Sequence, residues 1–221
     1  MIEVKNIHKY YQNLHVLKGV DLKIDKSEII SIVGASGTGK TTLLQILGTL
    51  DSFSKKDHES SLIINGNDIA SLNRNQLAKF RNENLGFIFQ FHQLLPEFTA
   101  LENVCIPAFI KRTPSGKAEK RAKELLAFLN LSHRENHKPN ELSGGEQQRV
   151  AVARALINNP AIILADEPSG NLDTESAESL HNLFFKLRDE FGQTFVIVTH
   201  NGELAAMADR KLVMKGGKIV S

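Results

Sequence analysis

At 221 residues, 41% of them hydrophobic and 24% charged, the chain is long enough to bury a large core and has the composition of one globular domain. Its net charge of +2 comes from 27 basic residues spread among 25 acidic ones, too even a balance for a nucleic-acid footprint, so no nucleic-acid partner is expected. The single Cys105 excludes an internal disulfide and fits a reducing compartment. With no basic-then-apolar leader and no apolar run near about 18 residues, the expectation is neither secretion nor direct membrane insertion, and work at a membrane would need a partner there.

Ile2 and Val4 alternate with Glu3 and Lys5, and Val20, Leu22 and Ile24 with Asp21, Lys23 and Asp25, which predicts half-exposed antiparallel strands. The apolar run Ile29 to Val33 predicts a buried strand, while Leu43, Leu44, Leu47 and Leu50 fall on one face of a helix. Between strand and helix, Gly34, Ala35, Ser36, Gly37, Thr38, Gly39, Lys40 and Thr41 spell G-x-x-x-x-G-K-[ST], followed by Thr42. In that context the glycines let backbone N–H groups turn inward around an anion, and the helix adds its positive end. The expected ligand is a nucleotide polyphosphate, with Lys40 on its β- and γ-phosphates and the Thr41 hydroxyl on Mg2+.

Ser52 to Ser61 reads as a polar surface loop before the strand Leu62 to Ile64. Leu85 to Phe89 is a further strand, closed by Gln90. From Phe91 to Asn158 no strand pattern occurs, and Ala118, Ala122, Leu125, Leu126 and Leu129 share a helical face, so this interval is expected to form a mostly helical lobe. Near its end Ser143 and Glu146 fit a capping box ahead of a helix rich in Ala, Val and Leu. Gly144 and Gly145 bare backbone amides at that helix start, so the segment reads either as a plain helix cap or as a second phosphate site.

Ile162 to Ala165 is an apolar strand ending in Asp166 and Glu167, and paired carboxylates at a buried strand end call for a cation. Asp173 is placed to cap a helix whose apolar face would carry Ala177, Leu180, Phe184, Leu187 and Phe191. The run Phe195 to Val198 leads to His200 at a strand end, where α/β sheets form their ligand crevice. Gly216 and Gly217 turn the chain between two short terminal strands. Together these elements predict an α/β fold: a mostly parallel sheet flanked by helices, with a small antiparallel sheet at one side.

Leu142-Ser-Gly-Gly-Glu146 resembles the signature motif of ATP-binding cassette (ABC) proteins, and phosphate loop, Gln90, signature, Asp166-Glu167, Asp173 and His200 follow in that family's order along the whole chain. The resemblance implies one ABC nucleotide-binding domain over residues 1–221: a P-loop NTPase core with an antiparallel β subdomain from residues 1–90 and 159–221, and a helical subdomain from 91–158. It implies ATP and Mg2+ as ligands and a head-to-tail pair with a second copy, in which Ser143, Gly144 and Gly145 contact the γ-phosphate held by the other subunit and Asp173 touches that subunit. Thr41 and, directly or through water, Asp166 would hold Mg2+, Gln90 would bind Mg2+ or the attacking water and sense the membrane partner, Glu167 would orient and polarise that water, His200 would contact the γ-phosphate, and Tyr11, with Tyr10 as its rival, would stack on adenine.

Leu85 to Val104 resembles, more narrowly, the ATP-binding subunits of lipoprotein-releasing transporters, and in looser form those of the macrolide-exporter and cell-division branch. That resemblance implies integral membrane permease subunits as partners, contacted by Phe91, Leu94, Leu95 and Phe98, and a peripheral place on the cytoplasmic face of a bacterial inner membrane. A soluble ABC ATPase and a P-loop kinase are the alternative classes; the second would need neither the Ser143 turn nor a pair. The chain departs from the family's habit in the loop from Ser52 to Ser61, which lacks the usual Pro and Gly, in Asn201 after the histidine, and in Ser169.

Overall fold

A computed structural model describes residues 1–54 and 59–220. Residues 55–58 of the expected polar loop lie outside the described residues. Strands β1 (Ile2–Tyr11) and β2 (Leu14–Ile24) pair antiparallel, with Ile2 opposite Ile24 and Val4 opposite Leu22. Their alternation therefore puts one apolar row inward, as the sequence predicts. β3 (Ile29–Val33), the phosphate-loop motif and α1 (Lys40–Leu47) follow, then β4 (Ser61–Ile64) and β5 (Asn67–Asp68), which complete a four-stranded sheet in the order β2-β1-β4-β5.

Next come α2 (Arg74–Asn84), β6 (Leu85–Phe89), α3 (Ala100–Ile110), α4 (Ser115–Phe128) and α5 (Gly144–Leu156). Among the described residues no strand falls between Phe91 and Asn158, and α3, α4 and α5 pack on one another. β7 (Ile162–Asp166), α6 (Thr174–Phe191), β8 (Thr194–Val198), α7 (Gly202–Met207), β9 (Arg210–Lys215) and β10 (Lys218–Ile219) end the chain. The second sheet runs β10-β9-β3-β8-β7-β6, parallel from β9 to β6, with only β10 antiparallel.

The continuously apolar strands are explained by cover on both faces. Ile163, Ala165, Phe195 and Ile197 join a core with α3 to α6, whereas Ile162, Leu164, Val196 and Val198 join a second core with α1 and the antiparallel sheet. Two expectations for helix faces need correction. Leu43, Leu44 and Leu47 are buried but Leu50 is 49% exposed, because α1 stops at Gly48 and Thr49 turns left-handed at φ 56°. A Cβ at Gly48 would come within 2.6 Å of the Phe87 ring, so the packing of α1 on β6 requires glycine there. Phe191 is 61% exposed, because α6 ends at Gly192 in the left-handed region and carries Phe191 past the core onto the edge of the Phe128 ring. Among the described residues no helix is long and apolar enough to cross a membrane.

Candidate active site

The loop between β3 and α1 closes against the rest of the chain through its glycines. Gly34 lies at φ 155° with the Met214 carbonyl oxygen 2.3 Å from where a Cβ would stand, and Gly39 lies at φ 101° with Leu17 at 2.9 Å, so both need glycine for conformation and for space. Lys40 Nζ donates to the carbonyl oxygens of Gly34 at 2.8 Å and Ala35 at 3.0 Å, and the Thr38 hydroxyl donates to Ala35 at 2.9 Å. The cation thereby braces the loop's carbonyls, and the Thr38 N–H also turns back onto Ala35 at 3.4 Å. Ser36, Gly37, Gly39, Lys40, Thr41 and Thr42 border a cleft of about 620 Å³ that Leu14 and Val16 close on one side, a volume ordinary for a nucleotide-sized ligand.

Strand register builds the opposite wall. Phe89 pairs with Asp166 and Asp166 with Val198, so Gln90, Glu167 and His200 leave three adjacent strands at nearly the same level and line the same cleft. Burial, with the neighbouring Glu167 charge, pushes the Asp166 carboxyl above its ordinary range, while the Thr41 hydroxyl and Lys40 pull it down. An acid held there against its desolvation, beside a hydroxyl, is a hard-oxygen donor set that fits Mg2+. Among the described residues no three His, Cys, Asp or Glu side chains converge, so such an ion would draw further ligands from phosphate and water.

Glu167 sits at φ 46°, uncommon for a residue with a side chain, fixed by its N–H donating to Val198 at 2.9 Å and its carbonyl accepting from Gly170 at 3.0 Å. Its Oε2 accepts from His200 Nδ1 at 2.8 Å and from the His200 main-chain N–H at 3.1 Å. A carboxylate partner places the proton of the neutral ring on Nδ1 and leaves Nε2 on an imidazole that is 73% exposed. Gln90 Nε2 donates to Asn171 Oδ1 at 2.9 Å, a contact between residues 81 apart that no local pattern announces.

The remaining site residues form a separate group. Ser143 caps α5 in a reciprocal box, accepting from the Glu146 N–H at 3.2 Å while its own N–H donates to Glu146 Oε2 at 2.8 Å. The Ser143 N–H holds the Glu146 carboxyl below its usual range against its partial burial, with Arg134 at 2.9 Å in support. Asp173 caps α6 through the Ser176 N–H at 2.9 Å and hydroxyl at 2.8 Å, which lower its carboxyl's affinity for protons. A Cβ on Gly145 would meet Ser176 Oγ at 3.0 Å and one on Gly144 would meet Leu172 at 3.8 Å, so the two caps are neighbours. Ser143, Gly144, Gly145 and Asp173 do not line the cleft of their own chain.

Tyr11 stands beside Thr42 rather than in the cleft lining, its hydroxyl donating to Asp51 Oδ2 at 2.6 Å and its ring 4.9 Å from Lys9 Nζ. The bond to Asp51 raises the phenol's pKa. Asp51 also binds Lys9 at 2.5 Å, and its role was not visible from sequence. Tyr10 stacks on His15 with ring centroids 4.0 Å apart. Of the departures, Ser169 Oγ contacts buried His181 at 3.0 Å and Asn201 caps α7 through the Leu204 N–H at 2.8 Å.

A phosphate loop facing a half-buried strand-end acid, a second carboxylate and a histidine defines a nucleoside triphosphatase of the P-loop class. The ABC transporter family model matches residues 17–170, and the chain belongs to the ABC transporter family, as an ATP-hydrolysing cassette. It is 60% identical over 219 residues to the lipoprotein-releasing system ATP-binding protein LolD of Bacteroides thetaiotaomicron, covering 99% of each chain. It is 60% identical over 221 residues to the protein of that name from Porphyromonas gingivalis, covering 100% of this chain and 99% of the relative. Among solved structures, the dimeric post-hydrolysis state of the ATP-binding cassette MJ0796 bound to ADP and Pi superposes with a TM-score of 0.89 at 41% identity, covering 100% of this chain and 97% of that one.

Proposed function

We propose that this chain is the ATP-binding and ATP-hydrolysing subunit of a lipoprotein-releasing transporter, working as a head-to-tail pair with a second copy and docked on integral membrane permease subunits at the cytoplasmic face of the inner membrane. The carrying observation is identity of 60% along essentially the full length of relatives bearing that name. The pairing is supported by the dimeric neighbour structure and by the division of the site within this chain. Ser143, Gly144 and Gly145 do not line their own cleft, so the helix start they build would serve the γ-phosphate lying on a second copy's Lys40 loop.

In each cleft Lys40 would leave the Gly34 and Ala35 carbonyls for the β- and γ-phosphates, and Tyr11 would stack on the base. Thr41, Asp166 and Gln90 would hold Mg2+, which when bound neutralises charge on the phosphoryl oxygens. Glu167 orients and polarises the attacking water, and His200, aligned by its bond to Glu167, presents its ring to the γ-phosphate. For the membrane partner, Phe91, Leu95 and Phe98 are exposed and Leu94 packs on the core, while Phe89 and Gln93 of the same stretch line an apolar groove of about 450 Å³ between α2, β6, α3 and α5.

The test is capture of the Glu167→Gln protein on membranes with ATP, followed by mass spectrometry. Integral subunits with large periplasmic domains and a bound acylated protein are expected. Partners of the macrolide-exporter or cell-division kind would overturn the cargo, and recovery without any integral subunit would overturn the transporter reading.

A further inference from the structure

The amide of Gln90 has two unlike ends, and which end faces the cleft decides whether the residue offers an oxygen or an N–H. A backbone carbonyl fixes the answer. The Gln90 main-chain oxygen can only accept, and Asn171 Nδ2 donates to it at 3.3 Å, which turns Asn171 Oδ1 toward the Gln90 side chain. That oxygen also only accepts, so it takes Gln90 Nε2, at 2.9 Å. The two bonds leave Gln90 Oε1 uncommitted to Asn171, on a residue that lines the cleft with Asp166 and Thr41. Gly170 completes the seat, since a Cβ there would stand 2.9 Å from Gln90 Nε2 and 3.2 Å from its Cδ.

We propose that Asn171 is a positioning residue that selects the amide orientation of Gln90, so that Oε1 is presented to the divalent cation of the bound triphosphate. The inference rests on the reading of Gln90 as a cation ligand. It assigns Asn171 an outer-shell role of the kind that orients metal ligands elsewhere, where loss typically costs about 10- to 100-fold in metal affinity. Asn171 is exposed and its side chain bonds Gln90 at both ends, so its replacement is expected to leave the fold intact.

The experiment titrates Mn2+ by electron paramagnetic resonance onto the full chain saturated with ATP, in the Glu167→Gln background that prevents turnover. Asn171→Leu, which removes both bonds, is expected to weaken Mn2+ about tenfold or more while leaving metal-free ATP affinity unchanged, and Gly170→Ala to do the same by displacing the amide. Asn171→Asp keeps the acceptor for Nε2 and is expected to restore most of the affinity. Combined with Gln90→Glu, whose two oxygens make orientation irrelevant, Asn171→Leu should have no further effect. If Gln90→Ala weakens Mn2+ and Asn171→Leu does not, the positioning role is overturned. If Gln90→Ala itself binds Mn2+ like the parent, the ligand reading beneath it falls instead.

Discussion

Replacing Glu167 by glutamine changes one charge and almost no shape, which makes it the sharpest probe of the proposed chemistry. The carboxylate accepts from His200 Nδ1 at 2.8 Å and from the His200 N–H at 3.1 Å, and an amide oxygen can still accept both. Neither the phosphate loop nor the Ser143 turn touches this side chain, so ATP binding and ATP-driven pairing should persist. What disappears is the negative charge that polarises water, and removing one preorganised electrostatic group of this kind costs about 10²- to 10³-fold in turnover, or about 2.7–4 kcal/mol. Phosphate release at saturating ATP, calorimetric titration with ATP and gel filtration with and without nucleotide read the three quantities separately. His200→Ala should lose turnover too, and the double variant should lose less than the product of the two, because the pair acts as a unit. Turnover of Glu167→Gln within about threefold of the parent protein would refute the assignment.

Lys40→Ala deprives both the phosphates and the Gly34 and Ala35 carbonyls of their cation; ATP affinity measured by fluorescence titration should fall by about 1.5–3 kcal/mol, the worth of a charge-assisted hydrogen bond. Ser143→Ala should cost about 1 kcal/mol of stability through the lost cap and also abolish ATP-dependent pairing, whereas Ser143→Asp keeps a capping oxygen, stays folded in thermal melts, and still fails to pair because it sets a charge against the γ-phosphate. Asp166→Asn should abolish turnover yet raise the melting temperature of the nucleotide-free protein at pH 7. The Asp166 carboxyl is raised from its ordinary 3.8 by burial, so the folded state binds the proton more tightly and the charged form destabilises it at every pH above the folded value. Below the ordinary value both states are protonated and the penalty vanishes, so the gain from Asn should fade as the pH of the melt is lowered toward 4, and a gain independent of pH would contradict the burial argument.

What could be read from sequence divides along the range of the interactions. The phosphate loop was legible because its glycines and Lys40 answer to local backbone geometry, and β7 and β8 were legible because cover on both faces leaves unbroken apolar runs. The capping role of Ser143 was equally local. Leu50 and Phe191 were misplaced because helical period says nothing of where a helix stops, and Gly48 is set by the Phe87 ring, a contact across the fold. α2 was unread because only Phe80 on it is buried, although its Asn73 and Gln76 capping box stood in the sequence. Asn171 and Asp51 escaped notice because each works on a residue some forty or more positions away, Tyr11 in one case and Gln90 in the other.

The left-handed backbone of Glu167, at φ 46°, sets durability against work at a single position. A residue with a side chain gives up about 1–3 kcal/mol in that conformation, and glycine would not. Glu167→Gly would release that strain at the expense of both bonds from His200 and of glycine's greater freedom in the unfolded chain, and a variant kept for heat resistance alone would burn no fuel. Thermal screening of this chain is safe only when each survivor is also asked to release phosphate.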